Sequence, residues 1–406
     1  MCSNLNYMQG VKSIKDIDVA AKRVLIRVDF NIPVDSNNNI TDDRRIREAI
    51  PTIKYCIENK ASLITLVSHF GQPKAVYNNK YSLKNIANRL VELLDKNVSF
   101  IEDLEYYKNN LQNYSNGEIF LLENIRFNDG EKKNDSDLSK KLASICDIYV
   151  NDAFGASHRK HSSTYGIADY AKTKVAGFLM IKEIEAFSKA LEHPISPVTL
   201  VVGGSKVSTK IGLLKAIMKK IDKLIIGGAM SNTFLKAIGY EIGDSMYEPK
   251  FIDVALDVIE EARLNGVKLY LPVDVVITNS IQTPTDVRVV SSHEILEGFQ
   301  AVDIGPATIE LFSDAISKSK TIIWNGPMGI YENEKYSNGT FKIADAIANS
   351  GAYTIVGGGD TADAVERLSK TDNFSFISTG GGASLELLEG KILPGFSHLD
   401  RLREAN

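Results

Sequence analysis

The feature that most restricts this chain is a pattern repeated five times in its second half. A short apolar run ends in a glycine cluster, and helix-like sequence follows. Val198–Val202 runs into Gly203-Gly204, and Lys223–Ile226 into Gly227-Gly228. Residues 321–324 run into Asn325-Gly326-Pro327, 353–356 into Gly357-Gly358-Gly359, and 374–377 into Ser378-Thr379-Gly380-Gly381-Gly382. Strands alternating with helices pack as a mostly parallel sheet flanked by helices. In such a sheet all five clusters fall at C-terminal strand ends, on the edge where open α/β sheets bind ligands.

The first half keeps the same rhythm. Residues 23–31 read as a strand and 43–60 as a helix, with Ile46, Ile50, Ile53 and Ile57 at helical spacing. Strand 62–67, helix 83–94, strand 119–122, helix 138–145 and strand 148–150 follow, and the polar stretch 128–137 reads as a surface loop. Between the halves, Phe178, Leu179, Ile184, Phe187 and Leu191 predict a helix over 175–191, stopped by Pro194 and Pro197. Lying between two α/β blocks, it reads as a connector between lobes, with a sheet-covering helix as the other reading. A chain of 406 residues exceeds what one hydrophobic core usually spans, so two lobes are expected.

Composition narrows the function class. With 44% hydrophobic and 24% charged residues and a net charge of −4, the chain reads as soluble and globular, without the basic balance that nucleic acid asks for. It has no apolar run of the roughly 18 residues that a membrane span needs. Lys12, Lys15, Asp16, Asp18, Lys22 and Arg23 break up the start, against a secretory signal, so a cytoplasmic location is expected. Cys2, Cys56 and Cys146 show neither metal spacing nor a disulfide framework.

Two sets of residues can carry chemistry. In the second half, glycine admits a ligand close to the backbone, and the following helix start offers free N–H groups. Lys206 and Lys210 lie four apart after Gly203-Gly204. If a helix begins near Ser205 they share a face and reach phosphate oxygens; otherwise they are solvated lysines. Asp360 after the glycine triplet is either a helix cap or a carboxylate for Mg²⁺ beside nucleotide phosphates, with Thr361 next to it. The patterns G-x-x-x-x-G-K-[ST] and G-x-G-x-x-G are absent, against a P-loop NTPase or a dinucleotide dehydrogenase.

In the first half, eight of thirteen arginines lie before residue 190. Asp29 and Asn31, Arg44, Arg45 and Arg47, His69, Arg126 and Arg159 all follow strands or open helices. Converging on one sheet edge, they make a basic pocket for a small polyanion, since arginine's fork matches carboxylate and phosphate. His158 and His161 read as partly exposed loop histidines.

The chain resembles the phosphoglycerate kinase family nearly end to end. The resemblance is carried by RVDFNIP at 27–33, DDRRIREAIPTI at 42–53, SHFGQP at 68–73, LLENIRF at 121–127 and NDAFGASHRKHSST at 151–164. It continues with GGSKVSTKIGLL at 203–214, IIGGAMSNTFL at 225–235, WNGPMGIYE at 324–332, IVGGGDTADAV at 355–365 and STGGGASLELLEGKILPG at 378–395. It implies two doubly wound, mostly parallel α/β lobes joined by a connecting helix, with the C-terminal tail returning to the N-terminal lobe. Residues 1–182 with 393–406 would bind phosphoglycerate, and 183–392 would bind Mg-nucleotide.

The implied reaction is reversible phosphoryl transfer from 1,3-bisphosphoglycerate to ADP, giving 3-phosphoglycerate and ATP, by a single chain acting as a monomer. Asp29, Phe30, Asn31, Arg45, His69, Phe70, Gly71, Gln72, Arg126 and Arg159 would bind the three-carbon acid. Lys206, Lys210, Asn325, Glu332, Gly357, Gly358, Gly359, Asp360 and Thr361 would bind nucleotide, with Asp360 on Mg²⁺. Arg45, Lys206 and the backbone around Gly381 would stabilise the group in transfer. No general base is needed, because the attacking oxygen is already an anion. A non-catalytic nucleotide binder of the same fold is the alternative, and the presence of Arg45, Lys206 and Asp360 argues against it. With the two sets on separate sheets, closure about the 175–191 helix is expected.

Three positions depart from the family. Gln72 stands where Arg is usual, Ile181 replaces Glu in FLMIKE at 178–183, and the region of His398 is less typical.

Overall fold

A computed structural model of the chain describes residues 7–402, so Cys2 and residues 403–406 lie outside the described part. Contacts divide the chain into two units: residues up to Glu185 together with those from Ile392 on, and Ala186–Lys391. No helix among the described residues is long and apolar enough to cross a membrane.

The first unit is built on six strands: β1 Arg23–Val28, β2 Leu63–Val67, β3 Val98–Ile101, β4 Glu118–Leu122, β5 Ile148–Asp152 and β6 Thr173–Ala176. They lie in the order β3-β4-β2-β1-β5-β6, parallel throughout. Every residue of β2 and β5 is buried, as expected of a sheet covered on both faces. The helix Arg44–Glu58 turns Ile46, Ala49, Ile53 and Cys56 onto the sheet, and Lys84–Leu94 does the same with Ile86, Leu90 and Leu94. Strands β3 and β6 escape the sequence reading because three of four residues in β3 and two of four in β6 are only half-buried, which weakens the apolar run.

The stretch 128–137 is not a loop. It holds the short helix Gly130–Lys133, with Glu131 fully buried, and the start of the helix Ser136–Ser144. Its polar residues are helix ends. Asn134 takes the left-handed conformation that closes the first helix, and the Asp135 carboxylate accepts the Asp137 and Leu138 amides that open the second.

The second unit carries β7 Val198–Val202, β8 Lys223–Ile226, β9 Lys268–Tyr270, β10 Asp274–Thr278, β11 Val287–Ser291, β12 Gln300–Ile304, β13 Thr321–Asn325, β14 Tyr353–Gly357 and β15 Phe376–Ile377. Six form a parallel sheet, β15-β14-β13-β7-β8-β9, around a core that includes Trp324, Phe312 and Ile322. The other three form an antiparallel sheet, β11-β10-β12, which the sequence reading missed. The outer strand β11 is largely exposed, so it leaves no buried apolar run to read.

The predicted connector is the helix Phe178–Leu191, and the division between the units falls within it. Its first amides are all accounted for. Thr52 Oγ1 accepts Phe178 N at 2.9 Å, and Asp152 Oδ1 accepts Leu179 N at 2.9 Å and Met180 N at 3.3 Å. Gly177 precedes it because a Cβ there would strike the Asp152 side chain. Ile181 is half-buried on this helix. The C-terminal tail belongs to the first unit: Gly395 N donates to Ser157 O at 2.8 Å, and Asp400 N to Lys174 O at 2.8 Å. His398 lies against the Tyr165 ring, with centroids 4.4 Å apart, and its Nδ1 is 2.6 Å from Asp169 Oδ1. Cys56 and Cys146 are buried thiols that form no disulfide.

Asp152 makes folding pH-dependent. Burial pushes its carboxyl up to about 7, outweighing the opposing pull of the Thr52 hydroxyl and the helix amides. Between the unfolded value, about 4, and that raised value the folded chain holds a proton the unfolded chain has lost, so this group's contribution to stability falls as pH rises. Asp152→Asn removes the titration and keeps an oxygen acceptor. Its denaturant midpoint should decline less than that of the parent chain between about pH 5 and 7. Equal slopes in the two proteins would place the pH dependence elsewhere.

Candidate active site

The C-terminal ends of the first sheet gather most of the predicted polar residues into one network. Asp29 and Asn31 leave β1, His69 leaves β2 and Arg126 leaves β4. Arg45, from the first turn of its helix, donates through Nη1 to Asn31 O at 2.8 Å and to Asp29 Oδ2 at 3.3 Å. Asn31 Oδ1 accepts Gly71 N at 2.8 Å, and Arg126 Nη1 donates to Gly71 O at 2.6 Å. Asn124 ties the same loop, accepting Phe70 N and donating to Phe70 O at 2.7 Å. The Phe30 and Phe70 rings pack into the core. Gln72 and Arg159 are on the outside: Gln72 Oε1 faces Lys132 Nζ at 3.5 Å, and Arg159 Nε faces His158 Nε2 at 3.0 Å.

Several members of this network escaped the sequence reading. Arg27 is fully buried inside β1; its Nε donates to Ser163 Oγ at 2.8 Å, and its Nη2 lies 3.2 Å from His69 Nδ1. Ser163 in turn donates to Glu131 Oε1 at 2.7 Å. An arginine within an otherwise apolar strand was the available signal, since charge is almost never fully buried unless paired. His161 is buried rather than exposed, with Nδ1 3.7 Å from Glu131 Oε1.

The electrostatics are those of a cation cluster. Burial opposes the charge of Asp29, yet neighbouring cations, Arg45 before Arg27, hold its carboxyl below the usual range. Burial, then Arg27 and Arg159, bring Arg126 down to about 10. Burial and the surrounding cations lower His161 to about 3. His69 also lies well below its ordinary value, chiefly from burial. Both imidazoles are therefore neutral near neutral pH.

The second unit's edge is built from backbone. Gly203 N donates to Asn325 O at 3.0 Å, Gly204 N to Pro327 O at 2.8 Å and Gly228 N to Met328 O at 3.0 Å, so three strand-end loops are knitted together. Gly228 needs its identity twice over: φ is +64°, and a Cβ would sit 2.6 Å from Gly204 N and 2.8 Å from Pro327 O. These loops border a cavity of about 290 Å³ lined by Gly204, Gly228, Val302, Met328, Glu332 and Asp360 among others.

Around it, Lys210 Nζ bonds Asn325 Oδ1, and Gly326 N donates to Thr361 Oγ1 at 2.7 Å. Burial lowers Lys210, and Asp360 and Glu389 oppose that shift. Gly357 ends β14, Gly358 at φ +93° caps the helix Gly359–Arg367, and Asp360 stands exposed in its first turn. Gly381, at φ +51°, caps the helix Gly382–Leu388, while Gly380 N is already spent on Ser378 Oγ at 3.1 Å. One expectation fails. No helix begins at Ser205; a 3₁₀ turn spans Val207–Thr209 and the α-helix starts at Ile211, so Lys206 and Lys210 flank a turn instead of sharing a helix face. Lys206 is exposed and Lys210 half-buried.

Comparison with known proteins gives a family. A family model described as phosphoglycerate kinase matches residues 14–391. A phosphoglycerate kinase of Wolinella succinogenes is 55% identical over 401 residues, 99% of this chain and 100% of the relative. One from Helicobacter pylori is 53% identical over the same shares of both chains. The solved phosphoglycerate kinase of Coxiella burnetii superposes with a TM-score of 0.85 at 43% identity, covering 96% of this chain and 98% of its own. That of Pyrococcus horikoshii gives 0.84 at 31% identity, covering 95% and 98%. An arginine-lined edge on one parallel sheet, a glycine-lined edge on the other and these full-length matches together mean that the chain belongs to the phosphoglycerate kinase family.

Proposed function

We propose that the arginine-lined edge of the first unit takes the three-carbon acid and the glycine-lined cavity of the second takes the Mg-nucleotide. The activity is that of the family, reversible phosphoryl transfer between 1,3-bisphosphoglycerate and ADP to give 3-phosphoglycerate and ATP. The observation that carries the division of labour is the contrast between the edges: four guanidinium groups and two neutral imidazoles at one, closely packed glycine backbone with helix starts at the other. Asp29, Asn31, Arg45, His69, Gly71, Gln72, Arg126 and Arg159 bind the acid and its phosphate. Lys206, Lys210, Asn325, Gly357, Gly358, Gly359 and Thr361 hold nucleotide phosphates, and Glu332 takes the ribose.

Phosphoryl transfer asks for positioning and charge neutralisation more than for proton movement. Arg45 is held by Asp29 and Asn31 O, so its fork is ordered before substrate arrives. Lys206 is exposed and free to follow the group in transfer, with the backbone at Gly381 on the far side of the same edge. No group of three or more His, Cys, Asp or Glu able to hold a metal occurs among the described residues. Asp360, one hard oxygen donor at the cavity, fits an ion such as Mg²⁺ that brings phosphate oxygens and water as its other ligands. When bound, that ion supplies positive charge to the phosphates.

A coupled assay of ATP formation from 1,3-bisphosphoglycerate and ADP tests the whole reading; intact ligand binding without turnover would overturn it. Within it, Arg45→Ala should lower kcat by about 10²–10³ and raise KM for the acid far less, as expected of a donor used chiefly in the transition state. Weaker binding at unchanged kcat would make Arg45 a binding residue only. Asp360→Asn keeps the start of its helix but loses the charge. It should raise KM for Mg-nucleotide by about tenfold or more while leaving 3-phosphoglycerate affinity unchanged, measured by steady-state kinetics and calorimetric titration. Equal losses for both ligands would contradict a role confined to the nucleotide site.

A further inference from the structure

Phosphoryl transfer makes no use of Glu131, yet this carboxylate is fully buried beside the acid site. It sits on the short helix Gly130–Lys133, where the Ser163 amide donates to Oε2 at 3.0 Å and the Ser163 hydroxyl to Oε1 at 2.7 Å. The same hydroxyl oxygen receives Arg27 Nε at 2.8 Å. Ser163 and Arg27 are also fully buried.

The direction of every bond in this chain is forced. A guanidinium only donates, so Ser163 Oγ accepts from Nε and must send its own proton to Glu131. At the other end, Arg27 Nη2 is 3.2 Å from His69 Nδ1. Arginine cannot accept there either, so Nδ1 is the bare nitrogen and the ring proton of neutral His69 belongs on Nε2. The competing arrangement would protonate Nδ1 toward Asp29 Oδ1, which lies 3.6 Å away, outside hydrogen-bond reach. The Asp29 carboxylate is engaged instead by Arg45 and the Asn31 amide. The charged groups facing His69 are Asp29 and Arg27 from β1 and its end, Arg45 from the helix Arg44–Glu58 and Arg126 from the end of β4. His69 Nε2 has no protein partner among the described residues, so its proton is free for a ligand.

We propose that Glu131 is a positioning residue that, through Ser163 and Arg27, holds His69 as the Nε2–H tautomer. The consequence for binding rests on the acid-site reading above. An anion pocket needs donors, and the opposite tautomer would offer a lone pair to a carboxylate or phosphate oxygen.

The test is a long-range ¹H–¹⁵N correlation spectrum of the histidine-labelled full chain without substrate. The His69 signals should show the Nε2–H form from about pH 5 to 8, the range where an ordinary imidazole titrates. An Nδ1–H form in the parent chain overturns the proposal with no variant needed. Ser163→Ala and Glu131→Gln should each move His69 toward a mixture of tautomers, and Ser163→Thr, which keeps the hydroxyl, should restore it. Unchanged His69 signals in the folded variants overturn the role of Glu131. Kinetics separate the two readings. KM for 3-phosphoglycerate should rise about tenfold in Ser163→Ala, the size of one charge-assisted bond, with KM for nucleotide unchanged. A shifted tautomer with unchanged KM for 3-phosphoglycerate would leave the relay standing and overturn the assignment of this edge to the acid.

Discussion

Mutual repulsion among cations at one sheet edge is the constraint around which the first unit is arranged. Arg27, Arg45, Arg126 and Arg159 act on the same few titrating groups, and burial denies Arg27 and Arg126 the screening that water would give. Burial, then Arg27 and Arg159, weaken Arg126 as an ion, so the charges at this edge oppose one another. Two buried carboxylates make it tolerable. Asp29 offsets Arg45 from one side, and Glu131 offsets Arg27 through Ser163 from the other. Neither removes the excess of positive charge. An anion brought to such an edge would meet groups already held in place, which is how preorganised sites stabilise charge.

The second unit solves the same problem by a different means. Its edge is neutral backbone, brought so close that Gly203 and Gly228 have no room for a side chain. Amides at strand ends and helix starts supply partial positive charge without a full ion to desolvate. The full charges are few: Lys210 half-buried against Asn325, with Lys206 and Asp360 exposed.

These differences explain what could be read from the sequence. Strands buried on both faces, such as β2, β7 and β13, announce themselves as continuous apolar runs, and the glycine clusters mark their ends. Strands β3 and β11 are too exposed to leave that trace. Much of the first unit's basic edge was legible because polar residues directly after strands stand out. Two of its members were not, since Arg27 lies inside a strand and Glu131 inside a stretch whose Asn, Asp and Gly residues look like a loop. Those residues are caps, and capping uses the residue types that turns use. Lys206 and Lys210 misled in the opposite sense, because a four-residue spacing implies a shared face only where an α-helix exists, and here a 3₁₀ turn intervenes.

Gln72 follows the same electrostatic logic. It lies on the loop that Asn31, Asn124 and Arg126 hold through Phe70 and Gly71, so any cation here would join the cluster at close range. The amide adds no charge to that repulsion. Lys132 Nζ lies 3.5 Å from Gln72 Oε1, and its charge is disfavoured by burial and then by Arg126 and Arg159. Positive charge at this rim is thus carried on the helix that also carries Glu131, whose carboxylate turns inward while the ammonium of the next residue faces out. One turn of chain supplies the cluster with its buried counter-charge and an additional cation, and a neutral residue at position 72 keeps the sum of charge from growing further.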